Sequence, residues 1–450
     1  MQAERTPISL PGHASLALEV LENAGHEAWC VGGFVRDALM GRLCSDVDIA
    51  SSATWQEAQS AFEAQGFRTH ETGIKHGTIT ALIAGEPVEI TTYRVDGTYS
   101  DGRHPDEVVF VREIAKDLDR RDFTMNAIAY HPDRGLFDPH NGARDIADGL
   151  IRAVGDPDLR FTEDAQRILR ACRFASQLGF SLEPATMLAM RSHAELLSDV
   201  ASERIAKELR GFVCGQAIHD ALMACSDVLA AVIPELSAMK GFDQKTPYHI
   251  YDVLEHTAFV MQNTPPYPLV RWAALFHDMG KPRAFFTDEA GTGHFYGHAK
   301  LSMELAGPVM KRLGMPHAFV SDVLLLVKYH DDVIEPTTKA VKRMLVRLDG
   351  RVDLFRAMCD LKRGDALAQA PHCHGRVQLA DDLDRVLDAI IEAQEAFSLK
   401  DLAIDGTDLI NLGIEPGPAL GRLLSDALEA VVDERVPNER EALLSHVQKQ

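Results

Sequence analysis

The sequence is poor in the devices that would place a protein outside the cell or in a membrane. Its 450 residues hold seven cysteines, an odd number without a CxxC pair, so no disulfide framework is expected. A reducing cytoplasm fits that usage. No apolar run approaches the ~18–20 residues that a membrane-spanning helix needs, so no membrane partner is expected. The opening MQAERTPISLPGHA lacks the basic and apolar stretches of an export signal. Cations are scarce as well: 46 Lys and Arg stand against 67 Asp and Glu, a formal charge of −21. That balance excludes a broadly basic nucleic-acid binder, because phosphate contacts come from lysine and arginine. Any RNA must be held by a local patch. Internal repeats and long low-complexity linkers are also missing.

What is present reads as an ordinary globular chain, with 46% hydrophobic and 25% charged residues. At roughly 150 residues per domain, about three domains are expected. From about 15 to 135, short β-like runs (EAWCVGG, TITALIA, PVEITTYRV) alternate with helical stretches such as TWQEAQSAFEAQG. Beyond about 150 the apolar spacing turns helical, with Gly179 and Gly215 where helix C-caps are expected. The fold class is α+β, an α/β head followed by an all-α body.

Two carboxylates mark the head. Asp46 and Asp48 alternate in SDVDIA, so a strand would point both to one face, where they repel unless a cation lies between them. Hard oxygen ligands of that kind suit Mg²⁺. Glu89, in PVEITTYR, is a candidate third carboxylate or a plain surface residue. Upstream, GGFVRD (32–37) follows a strand-like run and opens a helix, a place where backbone amides can hold phosphate. In FTEDAQRILRACRF, Asp164, Arg167, Arg170 and Arg173 recur every three residues, which would put one carboxylate and three guanidiniums on one helix face. An Asp–Arg pair offers acceptors and donors to a base edge; a surface ion pair is the plainer alternative.

GGFVRD, DVD, RRDFTMNA, RFTEDAQRILRACRF and SERIAKEL occur over residues 32–209 in the order that resembles class II tRNA nucleotidyltransferases. These are the CCA-adding enzymes, A-adding enzymes and bacterial poly(A) polymerases of the DNA polymerase β superfamily. The resemblance implies that Asp46 and Asp48 hold two Mg²⁺ ions, and that Gly33, Arg36 and Arg121 contact the triphosphate. It implies ribose contacts for Asp122 and Asn126, although Asn126 could simply cap a helix. It further implies nucleotide selection by Asp164 and Arg167, with Arg170 and Arg173 nearby. A loop over residues 95–105 corresponds to the one that supports the switch from C to A addition.

Histidines concentrate in the second half, and six groups fall in or at the ends of apolar helical runs: His256, His277, Asp278, His298, His330 and Asp365. Imidazole and carboxylate together suit Mn²⁺, Fe²⁺, Ni²⁺ or Zn²⁺. The order H…HD…H…H…D resembles the HD phosphohydrolase superfamily and implies a metal-activated water. Asp360 rivals Asp365 as last ligand, and His372-Cys373-His374 lacks partners at ligand spacing.

The resemblance implies four regions: a nucleotidyltransferase head (1–150), a helical nucleotide-selecting and RNA-binding body (151–240), an HD-type metal-binding domain (241–375) and a tRNA-binding helical tail (376–450). The leading expectation is template-independent addition of C, C and A to tRNA from CTP and ATP. Inside the family the alternative is an A-adding enzyme or poly(A) polymerase. From a different class, the alternative is an HD hydrolase with a nucleotide-sensing head.

Overall fold

The computed structural model describes residues 8–42, 44, 46–97 and 108–449. The expected 95–105 loop lies largely outside the described residues. The chain forms two compact units: Met1–Phe212 with Asp227–Val232, and Val213–Ser226 with Ile233–Gln450. Among the described residues, no helix is long and apolar enough to cross a membrane.

The first unit carries the β structure. Its strands are β1 (Ala28–Val31), β2 (Asp48–Ser51), β3 (Arg68–Gly73), β4 (Thr78–Ile83), β5 (Glu86–Thr92), β6 (Arg94–Asp96), β7 (Val108–Phe110), β8 (Ala129–His131) and β9 (Gly135–Phe137). Seven of them make one sheet in the order β3-β4-β5-β2-β1-β8-β9, while β6 and β7 form a separate ribbon. β1 lies inside the sheet between β2 and β8 and is buried at all four positions, in keeping with its uninterrupted apolar run. The parallel pairing of β2 with β5 sets Asp48 opposite Glu89. The sheet packs through Trp29, Val31, Ala50 and Tyr93 onto Ile114, Leu118 and Val154. Helix Trp55–Ala64 starts at a capping box in which Thr54 and Glu57 satisfy each other's backbone N–H.

Helices follow. Gln166–Leu178 ends at Gly179, whose φ of 73° gives the left-handed cap that glycine allows at least cost. Gly215 follows the last residue of helix Ser202–Val213 by two positions.

In the second unit, helices Val253–Asn263 and Val352–Ala368 cross closely at Gly364, where a Cβ would lie 2.6 Å from Thr264 Cγ2 and 3.0 Å from the Val260 carbonyl oxygen. Only glycine permits that approach, which places the next residue, Asp365, against His256. Toward the C-terminus, Leu402, Ile404, Leu409, Leu428, Val432 and Leu443 enclose a small core of their own.

Candidate functional site

Asp48 opens β2, but Asp46 precedes the strand, so the expected alternation on one strand face is corrected: the strand begins only at Asp48. The carboxylates converge all the same. Asp48 keeps an exposed surface. The protein crowded around its carboxyl, followed by the charges of Glu89 and Asp46, nonetheless pushes it up to about 6 against the pull of Arg121. Asp46 and Glu89, close enough to raise the cost of ionising Asp48, make with it an oxygen-rich seat suited to a hard divalent cation. Glu89 therefore belongs to the cluster through strand register, a pairing invisible in the sequence.

The glycine turn presses on the same place. Gly32 has φ 71°, and a Cβ there would meet Arg121 Nη1 at 3.1 Å and Asp48 Oδ2 at 3.9 Å. Gly33 opens the helix Gly33–Leu39 and lies under the Arg36 guanidinium, 3.6 Å from where its Cβ would be. Arg36 donates to Asn126 Oδ1 (2.8 Å), and Asn126 donates to Asp122 Oδ1 (3.0 Å). Asp122 Oδ2 in turn accepts two bonds from Arg170, at 2.9 and 2.7 Å. Asn126 thus joins a buried polar chain instead of capping a helix. Burial alone would raise the Asp122 carboxyl; Arg170 and the Asn126 amide overcome it and hold the group at about 2. The guanidiniums of Arg36, Arg170 and Arg173 all lie over the Phe174 ring, at 5.1, 5.6 and 4.2 Å.

Asp164 does not share the arginines' helix. It sits in extended conformation between Pro157–Glu163 and Gln166–Leu178, where its Oδ1 accepts the Gln166 N–H. Its ion-pair partner is Arg204, at 3.2 Å, a residue of the SERIAKEL motif that the periodicity argument passed over. Arg167 pairs with Glu163 (2.7 Å) and donates to the Arg120 carbonyl. Arg173 pairs with Glu208 at 2.6 Å. The three-residue spacing misled because the chain breaks its helix at Asp164, between two helical segments.

In the second unit all six expected groups meet. Each histidine turns Nδ1 toward a backbone carbonyl: His277 to Ala274 (2.7 Å), His330 to Val327 (2.7 Å), His298 to Phe295 (3.0 Å) and His256 to Ala368 (3.4 Å). A proton on Nδ1 leaves the lone pair on Nε2. Those Nε2 atoms face one another, 3.4 Å between His256 and His277 and 3.1 Å between His298 and His330. Lone pairs brought together like this need a cation, and donor separations near 3–3.5 Å are those of metal ligands about 2.1 Å from one ion.

Asp278 faces both pairs. Its Oδ2 lies 3.3 Å from His256 and 3.1 Å from His277, its Oδ1 3.3 Å from His298 and 3.7 Å from His330. Asp365 completes the first set at 3.0 Å from His256. Asp360, the rival, instead accepts from the Tyr267 hydroxyl and pairs with Arg363. Oδ2 of Asp278 is buried and meets no donor in hydrogen-bonding geometry, although Lys281 Nζ stands 2.6 Å away. Burial would raise the Asp278 carboxyl; His277 and Lys281 reverse that and hold it far below the usual range. The residues present fit one or two transition-metal ions, with imidazole nitrogen and carboxylate oxygen on each side.

Two neighbours escaped sequence reasoning. His249 lies beside His256 and Asp365, and Lys281 donates to Gln244 Oε1 (2.8 Å) and contacts His249 Nε2 (3.1 Å). Burial, then Lys281 and His256, push the His249 imidazole down to about 3. Lys281 had a signal, one helical turn after Asp278; His249 had none. Among the described residues, His372 and His374 join no such group.

Comparison with known proteins bears on both units. A model of the poly A polymerase head domain matches residues 28–152, one of an RNA- and SrmB-binding site of polymerase A matches 179–240, and one of tRNA nucleotidyltransferase domain 2 matches 308–447. The chain is 36% identical to the CCA-adding enzyme of Levilactobacillus brevis, over 99% of this chain and 100% of that protein. It is 33% identical to the CCA-adding enzyme of Limosilactobacillus fermentum, over 95% of this chain and 94% of that protein. Its fold resembles the crystal structure of the Bacillus stearothermophilus CCA-adding enzyme in complex with CTP, at 27% identity and a TM-score of 0.74, covering 97% of this chain and 96% of that one. With a converging carboxylate cluster in a polymerase-type head and this likeness along nearly its whole length, the chain belongs to the class II CCA-adding enzymes, a family of tRNA nucleotidyltransferases.

Proposed function

We propose that this protein adds C, C and A to the 3′ end of tRNA from CTP and ATP in the cytoplasm, where its seven free cysteines persist. The RNA 3′-oxygen bonds to the α-phosphorus, the bond from that phosphorus to the bridging oxygen breaks, and pyrophosphate leaves. The observation that carries the reading is the convergence of Asp46, Asp48 and Glu89 beside Arg121 at the Gly32–Gly33 turn. Asp46 and Asp48 are the residues that would hold Mg²⁺, which supplies charge neutralisation for the attacking and leaving oxygens when bound. Arg36 and Arg121 steady the triphosphate, and Asp122 with Asn126 presents acceptors and a donor to ribose hydroxyls. Asp164 and Arg167 select the base edge, with Arg204 keeping Asp164 in place and Arg170 and Arg173 contributing positive charge. On this reading residues 1–150 catalyse, 151–240 select nucleotide and hold RNA, and 376–450 contact tRNA. Asp46→Ala and Asp48→Ala should each lower addition by roughly three decades or more with the fold intact. Unchanged rates at saturating Mg²⁺ would sink the assignment.

We further propose that residues 241–375 form an HD-type metal-dependent phosphohydrolase. Support comes from the four Nε2 atoms converging on Asp278 with their Nδ1 sides already bonded. His256, His277 and Asp365 would hold one ion and His298 with His330 the other, Asp278 facing both; such an ion supplies an activated water. Elemental analysis of protein purified without chelator should find a transition metal in wild type and a strongly reduced content in a His277→Ala, Asp278→Ala variant. Equal, negligible metal in both would leave a scaffold only.

A further inference from the structure

The histidine–aspartate cluster opens to solvent on one side. Side-chain exposure is 0% for His256, 1% for His277, 2% for Asp278, 8% for His298 and 6% for His330, but 28% for Asp365. At that opening lies a cavity of about 420 Å³, lined at the cluster end by His330 and Asp365. The volume falls in the range of small-molecule sites and exceeds what a bare phosphate ion fills.

Two cations line this cavity, and they differ in what they have left to give. Lys362 is committed to the backbone, donating to the carbonyls of His330 (2.6 Å) and Asp332 (2.8 Å). Arg376 is exposed at the first turn of Arg376–Glu392, and no carboxylate among the described residues lies within ion-pair distance of it. Its position is nevertheless set. Nη1 donates to Gln369 Oε1 (2.8 Å), and Gln369 Nε2 donates to Asp365 Oδ2 (2.9 Å). One carboxamide therefore links a guanidinium without an ion-pair partner to a metal-candidate carboxylate. The Tyr248 ring, 5.6 Å from the guanidinium, supports its other side. Beyond Arg376 the wall turns apolar, with half-buried Leu379 from the same helix packed over the fully buried Leu383. Asp331 at the rim adds negative charge, while Asp332 beside it is paired with Arg347 at 3.0 Å; charge of that sign disfavours a polyphosphate.

Resting on the reading of the cluster as a metal-dependent phosphohydrolase, we propose that Arg376, held by Gln369, anchors the phosphoryl group of a singly phosphorylated ester whose organic ring lies on Leu379. A guanidinium with free N–H groups is the side chain suited to gripping a phosphoryl oxygen pair. Gln369 is a positioning residue, since it reaches the substrate only through Arg376.

Calorimetric titration of Mn²⁺-loaded full-length protein with phenylphosphonate, and with methylphosphonate as the ringless control, tests this. Wild type should favour phenylphosphonate. Arg376→Ala should weaken phenylphosphonate roughly ten- to hundredfold with Mn²⁺ content unchanged, and Arg376→Lys should recover part of the loss. Gln369→Leu should weaken it less, and should raise KM for p-nitrophenyl phosphate more than it lowers kcat. Leu379→Asp should abolish the preference for the phenyl compound. Phenylphosphonate affinity unchanged in Arg376→Ala, or absent in wild type that carries Mn²⁺, overturns the anchor and leaves the metal reading standing. Wild type without Mn²⁺ whose phosphonate affinity still depends on Arg376 keeps the anchor and overturns the metal reading. Loss of both in wild type overturns both.

Discussion

Asp122 accepts from Arg170 on one oxygen and from Asn126 on the other, and through Asn126 it is tied to Arg36. Its carboxyl is held at about 2, below the ordinary value near 3.9. A depressed carboxyl stabilises the fold at every pH above its unfolded value, and that stabilisation is lost as pH falls through about 4 toward 2. The contribution is on the order of 2–3 kcal/mol for a group this buried. Asp122→Asn should therefore lower stability at pH 7 by about that amount, and the gap from wild type should narrow toward pH 3. Denaturant unfolding at both pH values checks it; a gap that stays constant would mean the carboxylate charge contributes nothing. At this scale the sequence named most of the partners but not the pairings. Asp164 and Arg204 lie 40 residues apart in sequence, and only the packing of helix Ser202–Val213 beside the break at Asp164 joins them.

Elements decide what the residues can reach. Alternation in SDVDIA read as a strand, yet hydrogen bonding to β1 and β5 begins at Asp48, so Asp46 comes to the cluster from the preceding loop. The histidine pattern was legible because each group ends or interrupts an apolar helix. The crossing that brings Asp365 to His256 was not, since Gly364 looks like any helical glycine until its neighbour is known. Gly280 makes a similar approach: a Cβ there would lie 2.5 Å from the His298 carbonyl oxygen and from the Ser302 nitrogen. Backbone cannot yield as a side chain can, so Gly280→Ala should displace the start of helix His298–Arg312, at a cost of about 1–3 kcal/mol. Bound metal should fall although no ligand is altered. Thermal unfolding with elemental analysis reads both effects, and unchanged metal content would show that His298 is not a ligand.

Over the whole molecule, two constellations of different chemistry sit in separate compact units, oxygen donors in the first and mixed nitrogen and oxygen donors in the second. The order of motifs announced both, and the α+β division followed from the change of apolar period near residue 150. The order of strands in the sheet, and with it the neighbour of Asp48, depends on long-range pairing that no local pattern encodes. A net charge of −21 leaves the RNA contacts to local cations. On this reading one chain builds all three terminal nucleotides. Purified protein should be given tRNAs that end before C, within CC and at CC, with labelled CTP or ATP supplied separately and together. CTP should extend the first two substrates only as far as CC, ATP should label the CC-ending tRNA once, and both together should complete CCA on all three. Labelling of only the CC-ending tRNA, with no use of CTP, or untemplated runs of A, would contradict this reading.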